Sequence, residues 1–314
     1  MPAEATSQED LCTAHPPVPL AGAPTVVVTA RGSIELSEAG AGPAVLALHG
    51  AMGGHDQSML LARTVGEAGY RYLAASRPGY LGTPLRSGRT SEEQADLLAA
   101  ALDALGVRRA AVMAVSGGGP AALQFAARHP ARCAALVLVS TCSGKMEERI
   151  PWSFHLTKRL LRWRWAAEAM RRKVARDPGR AAARSVRDPA LLARTLQDPE
   201  AGPLFLALHG STLHRAGERL DGTEIDIAVT RTMEYPLEAI ASPTLVVHGT
   251  ADAVVSYAHA QALAARIPGA ELCSVEGGEH VSIFTHRAEV RDRVTRFLRR
   301  HAAGGDWAGL DQGA

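Results

Sequence analysis

A chain of 314 residues with 46% hydrophobic and 21% charged side chains can bury a sizeable core, as one large domain or two smaller ones. A formal net charge of +2 gives no ground for a nucleic-acid partner, and no apolar run approaches transmembrane length. Residues 1–11 are polar and acidic without the apolar stretch of a secretory signal, so a cytoplasmic location is expected. Cys12, Cys133, Cys142 and Cys273 are scattered without metal-ligand spacing, which predicts reduced thiols and no metal site.

In chain order, residues 1–24 read as a Pro/Ala-rich flexible leader. Residues 25–30 and 34–38 predict a hairpin around Arg31-Gly32-Ser33. A strand at 44–48 runs into His49-Gly50-Ala51-Met52-Gly53-Gly54. A helix at 57–68 and a strand at 71–75 follow, then the loop Ser76-Arg77-Pro78-Gly79-Tyr80-Leu81-Gly82. Thr90 with Glu93 forms a capping-box signature for a helix that ends near Leu105, stopped by Gly106. The apolar run 110–113 leads into Ala114-Val115-Ser116-Gly117-Gly118-Gly119-Pro120, with a helix at 121–128 and a strand at 134–140 beyond it. Residues 143–235 interrupt the strand–helix alternation. It resumes with a strand at 243–248, a helix at 257–266, a strand at 270–275 and an amphipathic helix at 287–301, before a Gly-rich tail at 302–314.

Ser116 is the most telling position. A serine between a buried strand and a helix, packed round with glycines, is what a nucleophile elbow requires, because the tight turn leaves room only for small neighbours. Ala114 stands where the usual first glycine would be. The turn also puts the N–H of Gly117 at a helix start, where it can receive a developing oxyanion. A Gly-rich phosphate-binding turn is the competing reading, but no Lys-Ser/Thr pair follows and the dinucleotide glycine spacing is absent. A serine hydroxyl needs a base, and the base an orienting acid. Asp252 and His280 each fall in a loop just after a strand. In a parallel sheet those loops share one edge with Ser116.

The order Ser116…Asp252…His280, the His49-Gly50 loop and the Arg77-Pro78-Gly79-Tyr80 loop together resemble the α/β-hydrolase fold superfamily, in its cap-bearing esterase/lipase/peptidase-like branch, over residues 25–300. The resemblance implies a mostly parallel, twisted eight-stranded sheet flanked by helices, with 25–142 and 236–301 as core and 143–235 as a helical cap inserted after the sixth strand. It implies Ala51 as the second oxyanion donor beside Gly117, and Met52 as a pocket neighbour. Ser76 replaces the usual acid of its loop, and Leu81 departs from the pattern there. Relatives that use an aspartate nucleophile are excluded by Ser116. Some members carry the triad acid after the sixth strand, but residues 140–144 hold none before Glu147, which favours Asp252.

The expected activity is cleavage of a carboxylic ester or related acyl bond through an acyl-enzyme, with no cofactor and a small-molecule acyl substrate. An acyltransferase, perhydrolase or cofactor-free lyase on the same fold, or a ligand-binding protein without turnover, is the alternative. The insertion holds three of the four tryptophans, and Trp163 and Trp165 are candidate pocket residues. Residues 151–187 carry nine arginines and two lysines against Glu168 and Asp177, a local net charge of +9. A solvated basic face is the favoured reading over attraction of an anionic substrate or a membrane surface, so membrane contact is not expected. His49 and His248 read as loop or core histidines, while Asp56, Asp226 and Glu279 lie near the site without an assigned role.

Overall fold

The computed structural model describes residues 17–146 and 152–302. The first sixteen residues of the expected leader, Glu147, and the tail from residue 303 therefore lie outside the described residues.

Eight strands form one sheet: β1 (Thr25–Thr29), β2 (Gly32–Ala39), β3 (Ala44–Leu48), β4 (Arg71–Ala75), β5 (Ala110–Val115), β6 (Cys133–Val139), β7 (Thr244–Gly249) and β8 (Glu271–Val275). Their spatial order is β1-β2-β4-β3-β5-β6-β7-β8. β2 runs antiparallel to both neighbours, and every pairing from β4 to β8 is parallel. All five residues of β3 and the first five of β5 are buried, as continuous apolar runs must be when helices cover both faces. β1 lies at the edge, and its Val26 and Val28 are exposed. One covering layer holds α1 (His55–Val65) and, from the C-terminal end of the chain, α12 (Arg287–His301). The other holds α2 (Ser91–Ala104), α3 (Gly119–Arg128) and α10 (Tyr257–Arg266).

Between β6 and β7 the described residues make six α-helices: α4 (Trp152–Leu161), α5 (Arg164–Arg176), α6 (Pro178–Ala182), α7 (Pro189–Gln197), α8 (Ala201–Leu213) and α9 (Leu220–Thr232). A short α11 (Ser282–Thr285) follows the loop that bears His280.

Local signals decide several boundaries. Thr90 Oγ1 accepts the N–H of Glu93, and the Glu93 carboxylate accepts the N–H of Thr90, so α2 starts on a complete capping box. α1 spans 55–65 rather than 57–68, because Gly66 turns extended at its end. The elbow helix begins at Gly119 rather than Ala121, after a single 3₁₀ turn over Ser116–Gly118. No sequence signal marked α11 or the 3₁₀ turn at Leu85–Ser87.

Candidate active site

The parallel register lines up the C-terminal ends of β3, β5, β7 and β8, and the loops leaving those ends carry the expected residues. Ser116 leaves β5 with φ of +50°, a left-handed conformation that costs a non-glycine residue of order 1–3 kcal/mol. The surroundings hold it there: Thr141 Oγ1 donates to the Ser116 carbonyl at 2.7 Å. A side chain at Gly119 has no room, since its Cβ would fall 1.8 Å from Thr141 Oγ1. The elbow thus needs its glycines for packing as well as for the turn.

His280 Nε2 lies 3.1 Å from Ser116 Oγ, and His280 Nδ1 lies 2.8 Å from Asp252 Oδ2. With Nδ1–H donating to the carboxylate, Nε2 is free to accept the serine proton. The Asp252 side chain is fully buried, whereas His280 retains 22% exposure. Asp252 Oδ1 accepts the N–H groups of Val254 and Val255 at 2.8 and 3.0 Å. Burial pushes the carboxyl group up, but its hydrogen bonds to His248 and His280 and the nearby charge outweigh that and hold it well below the ordinary carboxylate range. His248 is buried, with Nε2 2.9 Å from the Val255 carbonyl and 3.3 Å from Asp252 Oδ2, so it braces the acid from behind.

The loop after β3 brings Ala51 beside the elbow. A Cβ on Gly117 would sit 3.2 Å from the Ala51 nitrogen and 2.8 Å from Asp226 Oδ2. The space between the two backbone amides is therefore kept open by the glycine. Gly117 lies in the first turn leading into α3, where N–H groups lack an intrahelical acceptor. Ala51, Ser116 and Gly117 all face a cavity of about 720 Å³, whose walls include Phe154, Ile227, Val254 and Val255.

Three candidate pocket residues stand elsewhere. Met52 has φ of +58°, which turns its side chain from the cavity into a small cluster with Leu161, Ala216 and Leu220. Trp163 and Trp165 are 61% and 71% exposed and do not line the cavity. The inward face of α4 is already occupied by Phe154 and Thr157 on the cavity and by Leu161 in that cluster. Trp163 lies in the break before α5 and Trp165 in its first turn.

Sequence reasoning missed the contacts between the helical insertion and the loop after β3. Arg77, 1% exposed, donates to both oxygens of Asp226 on α9 at 2.7 and 2.6 Å. The same guanidinium donates to the carbonyl oxygens of His49 and Gly50 at 3.1 and 3.4 Å. Tyr80 Oη donates to Asp226 Oδ2 at 2.5 Å. The Met52 N–H donates to Thr223 Oγ1 at 3.1 Å. The other two unassigned acids also bridge the insertion to the rest: Asp56 pairs with the fully buried Arg219, and Glu279 accepts the N–H of Arg187. The acid–arginine pairing across 149 residues carries no sequence signature. His49 is fully buried, its Nδ1 donating to the Gly50 carbonyl and its Nε2 accepting the N–H of Arg77. Burial first, and then the charge of Arg77, keep it neutral.

A sequence profile of the alpha/beta hydrolase fold matches residues 43–287. The chain belongs to the α/β-hydrolase fold family. As an α/β-hydrolase it resembles an alpha/beta hydrolase fold protein from Nakamurella multipartita, with TM-score 0.79 and 35% identity over 90% of this chain and all of that one. An uncharacterized hydrolase of Bacillus subtilis is 28% identical over 80% of this chain and 89% of its own length. A pimeloyl-[acyl-carrier protein] methyl ester esterase of Aromatoleum aromaticum is 30% identical over 70% of this chain and 84% of its own. Among the described residues of this α/β-hydrolase, no helix is long and apolar enough to cross a membrane.

Proposed function

We propose that this α/β-hydrolase cleaves carboxylic esters through a covalent acyl-enzyme. The observation that carries this reading is the continuous hydrogen-bond chain Ser116 Oγ–His280–Asp252, ending at a cavity flanked by two backbone amides. Ser116 Oγ attacks the ester carbonyl carbon while His280 Nε2 takes its proton. Asp252 holds the tautomer that makes this possible and stabilises the imidazolium. The N–H groups of Ala51 and Gly117 donate to the oxyanion. Collapse of the tetrahedral intermediate breaks the bond to the alcohol, which leaves with the proton from His280. Water, deprotonated by His280, then attacks the acyl-enzyme and releases the acid. The apolar cavity walls suit an aliphatic or aromatic acyl group. The esterase named among the relatives agrees with this reading.

The test uses a fluorophosphonate label and a short activated ester. The wild-type protein is expected to take up one label per chain and turn the ester over. Ser116→Ala is expected to lose labelling and on the order of 10⁴–10⁶ of the rate while melting as the wild type does. A folded Ser116→Ala protein that keeps more than about a tenth of the rate would remove Ser116 from the nucleophile's role.

A further inference from the structure

Five of the nine large apolar side chains exposed among the described residues fall within residues 152–165: Trp152, Leu156, Leu160, Trp163 and Trp165. Their exposures run from 42% at Leu160 to 76% at Trp152. Trp152, Leu156 and Leu160 recur every four residues and so form one stripe along α4. The opposite face of the same helix, Phe154 and Thr157, walls the cavity that contains Ser116. A helix apolar on both faces has two contacts to satisfy, and the described residues supply only the inner one.

Charge indicates what the outer face meets. Residues 152–176 carry eight basic side chains against Glu168 alone, a net charge of +7. Lys158 and Arg162 turn to Glu224, and Arg171 and Arg172 to Glu168. Arg159 and Arg164 are exposed beside the apolar stripe and form no ion pair among the described residues. Indoles with their apolar bodies in acyl chains and their N–H groups among headgroups, flanked by arginines on phosphates, match the interfacial layer of a bilayer. A second copy of the chain fits poorly, because a twofold contact would set the unpaired Arg159 and Arg164 of one copy against those of the other.

We propose that the outer face of α4 and the first turn of α5 dock on an anionic phospholipid surface, with Trp152, Leu156, Leu160, Trp163 and Trp165 inserted at headgroup depth and Arg159 and Arg164 on lipid phosphates. This reverses the sequence-based expectation of a merely solvated basic face, because solvation does not account for three exposed indoles on it. Docking sets the cavity wall of α4 next to the bilayer, so a substrate dissolved in lipid has a short path to Ser116. The docking itself does not depend on the esterase reading.

The experiment is co-sedimentation of the full chain with vesicles of phosphatidylcholine alone or mixed with phosphatidylglycerol. Association is expected to be at least about tenfold stronger with the anionic vesicles and to weaken as salt is raised. Arg159→Glu/Arg164→Glu should bring it down to the phosphatidylcholine level. Trp152→Ser/Trp163→Ser/Trp165→Ser should abolish sedimentation at every salt concentration, with the thermal melt little changed because these side chains are 61–76% exposed. Equal association with both vesicle types, association with neither, or a tryptophan variant that folds and still sediments overturns the proposal. So does a vesicle-free dimer that the tryptophan variant breaks, which assigns the face to a second copy. Should the variants misfold, the salt dependence and lipid preference of the wild type still decide the matter.

Discussion

Asp252 shows what a single side chain must reconcile at this site. Burial alone would favour its neutral form, yet His248, His280 and two backbone N–H groups surround it with donors. A carboxylate so held orients His280 without taking its proton. Asp252→Asn keeps the shape but invites the amide to donate, which selects the wrong tautomer. Its ester turnover is expected to fall by roughly 10⁴ with binding of substrate little changed. Steady-state kcat and KM on a soluble ester measure this, and a loss under about tenfold would place the orienting acid elsewhere. The meeting of Ser116, Asp252 and His280 was legible in the sequence because each lies in a turn or loop after a parallel strand. Met52, Trp163 and Trp165 were misread because sequence position gives nearness to a loop or helix, not the direction of a side chain. A φ of +58° turned Met52 away.

At the scale of elements, the loop after β4 and helix α9 act as one unit with the loop after β3. Arg77 donates at once to Asp226 on α9 and to the two carbonyls that precede Ala51. The insertion is thereby fastened to the backbone that would hold the oxyanion. Asp226→Ala leaves a buried guanidinium without its counter-charge, and a broken buried pair costs about 3–5 kcal/mol. Denaturant unfolding should register a loss of that size, and kcat should fall more than KM rises. A stability change under about 1 kcal/mol would mean the pair contributes little beyond its own desolvation. The motif around Arg77 was readable as a loop of known type, but its partner was not, because side chains 149 residues apart share no local pattern.

For the whole molecule, His49 and three half-buried histidines are expected to erode stability as pH falls. His49 accepts the Arg77 N–H at Nε2 and has no room for a second proton. Its folded value lies well below the ordinary 6.5, chiefly through burial and then through Arg77. As pH falls below about 6.5, the unfolded chain takes up a proton that the folded chain refuses, so stability is full above that value and declines below it. His55, His209 and His286 are lowered in the same direction, each chiefly by burial. Chemical unfolding between pH 5 and 7, a range set by the ordinary histidine value, should lose up to about 1.4 kcal/mol per pH unit for each such proton. His49→Gln, which can still accept at that position, should make the slope shallower by up to one proton's worth. An unchanged slope would show that His49 is not among the groups responsible.

The sequence by itself determined what depends on near neighbours. Apolar runs made β3 to β7, the Thr90–Glu93 box started α2, and small residues round Ser116 made the elbow, because period, capping and turn sterics act over a few residues. Placing Ser116, Asp252 and His280 after successive strands also foretold their meeting, since a parallel sheet carries those strand ends to one edge. Only the tertiary structure decided how the inserted helices are rotated and which charges they pair. α4 is apolar on two sides, so its periodicity suits either face inward. The choice was made by Phe154, Thr157 and Leu161 fitting the cavity and the core, which left the tryptophans outside.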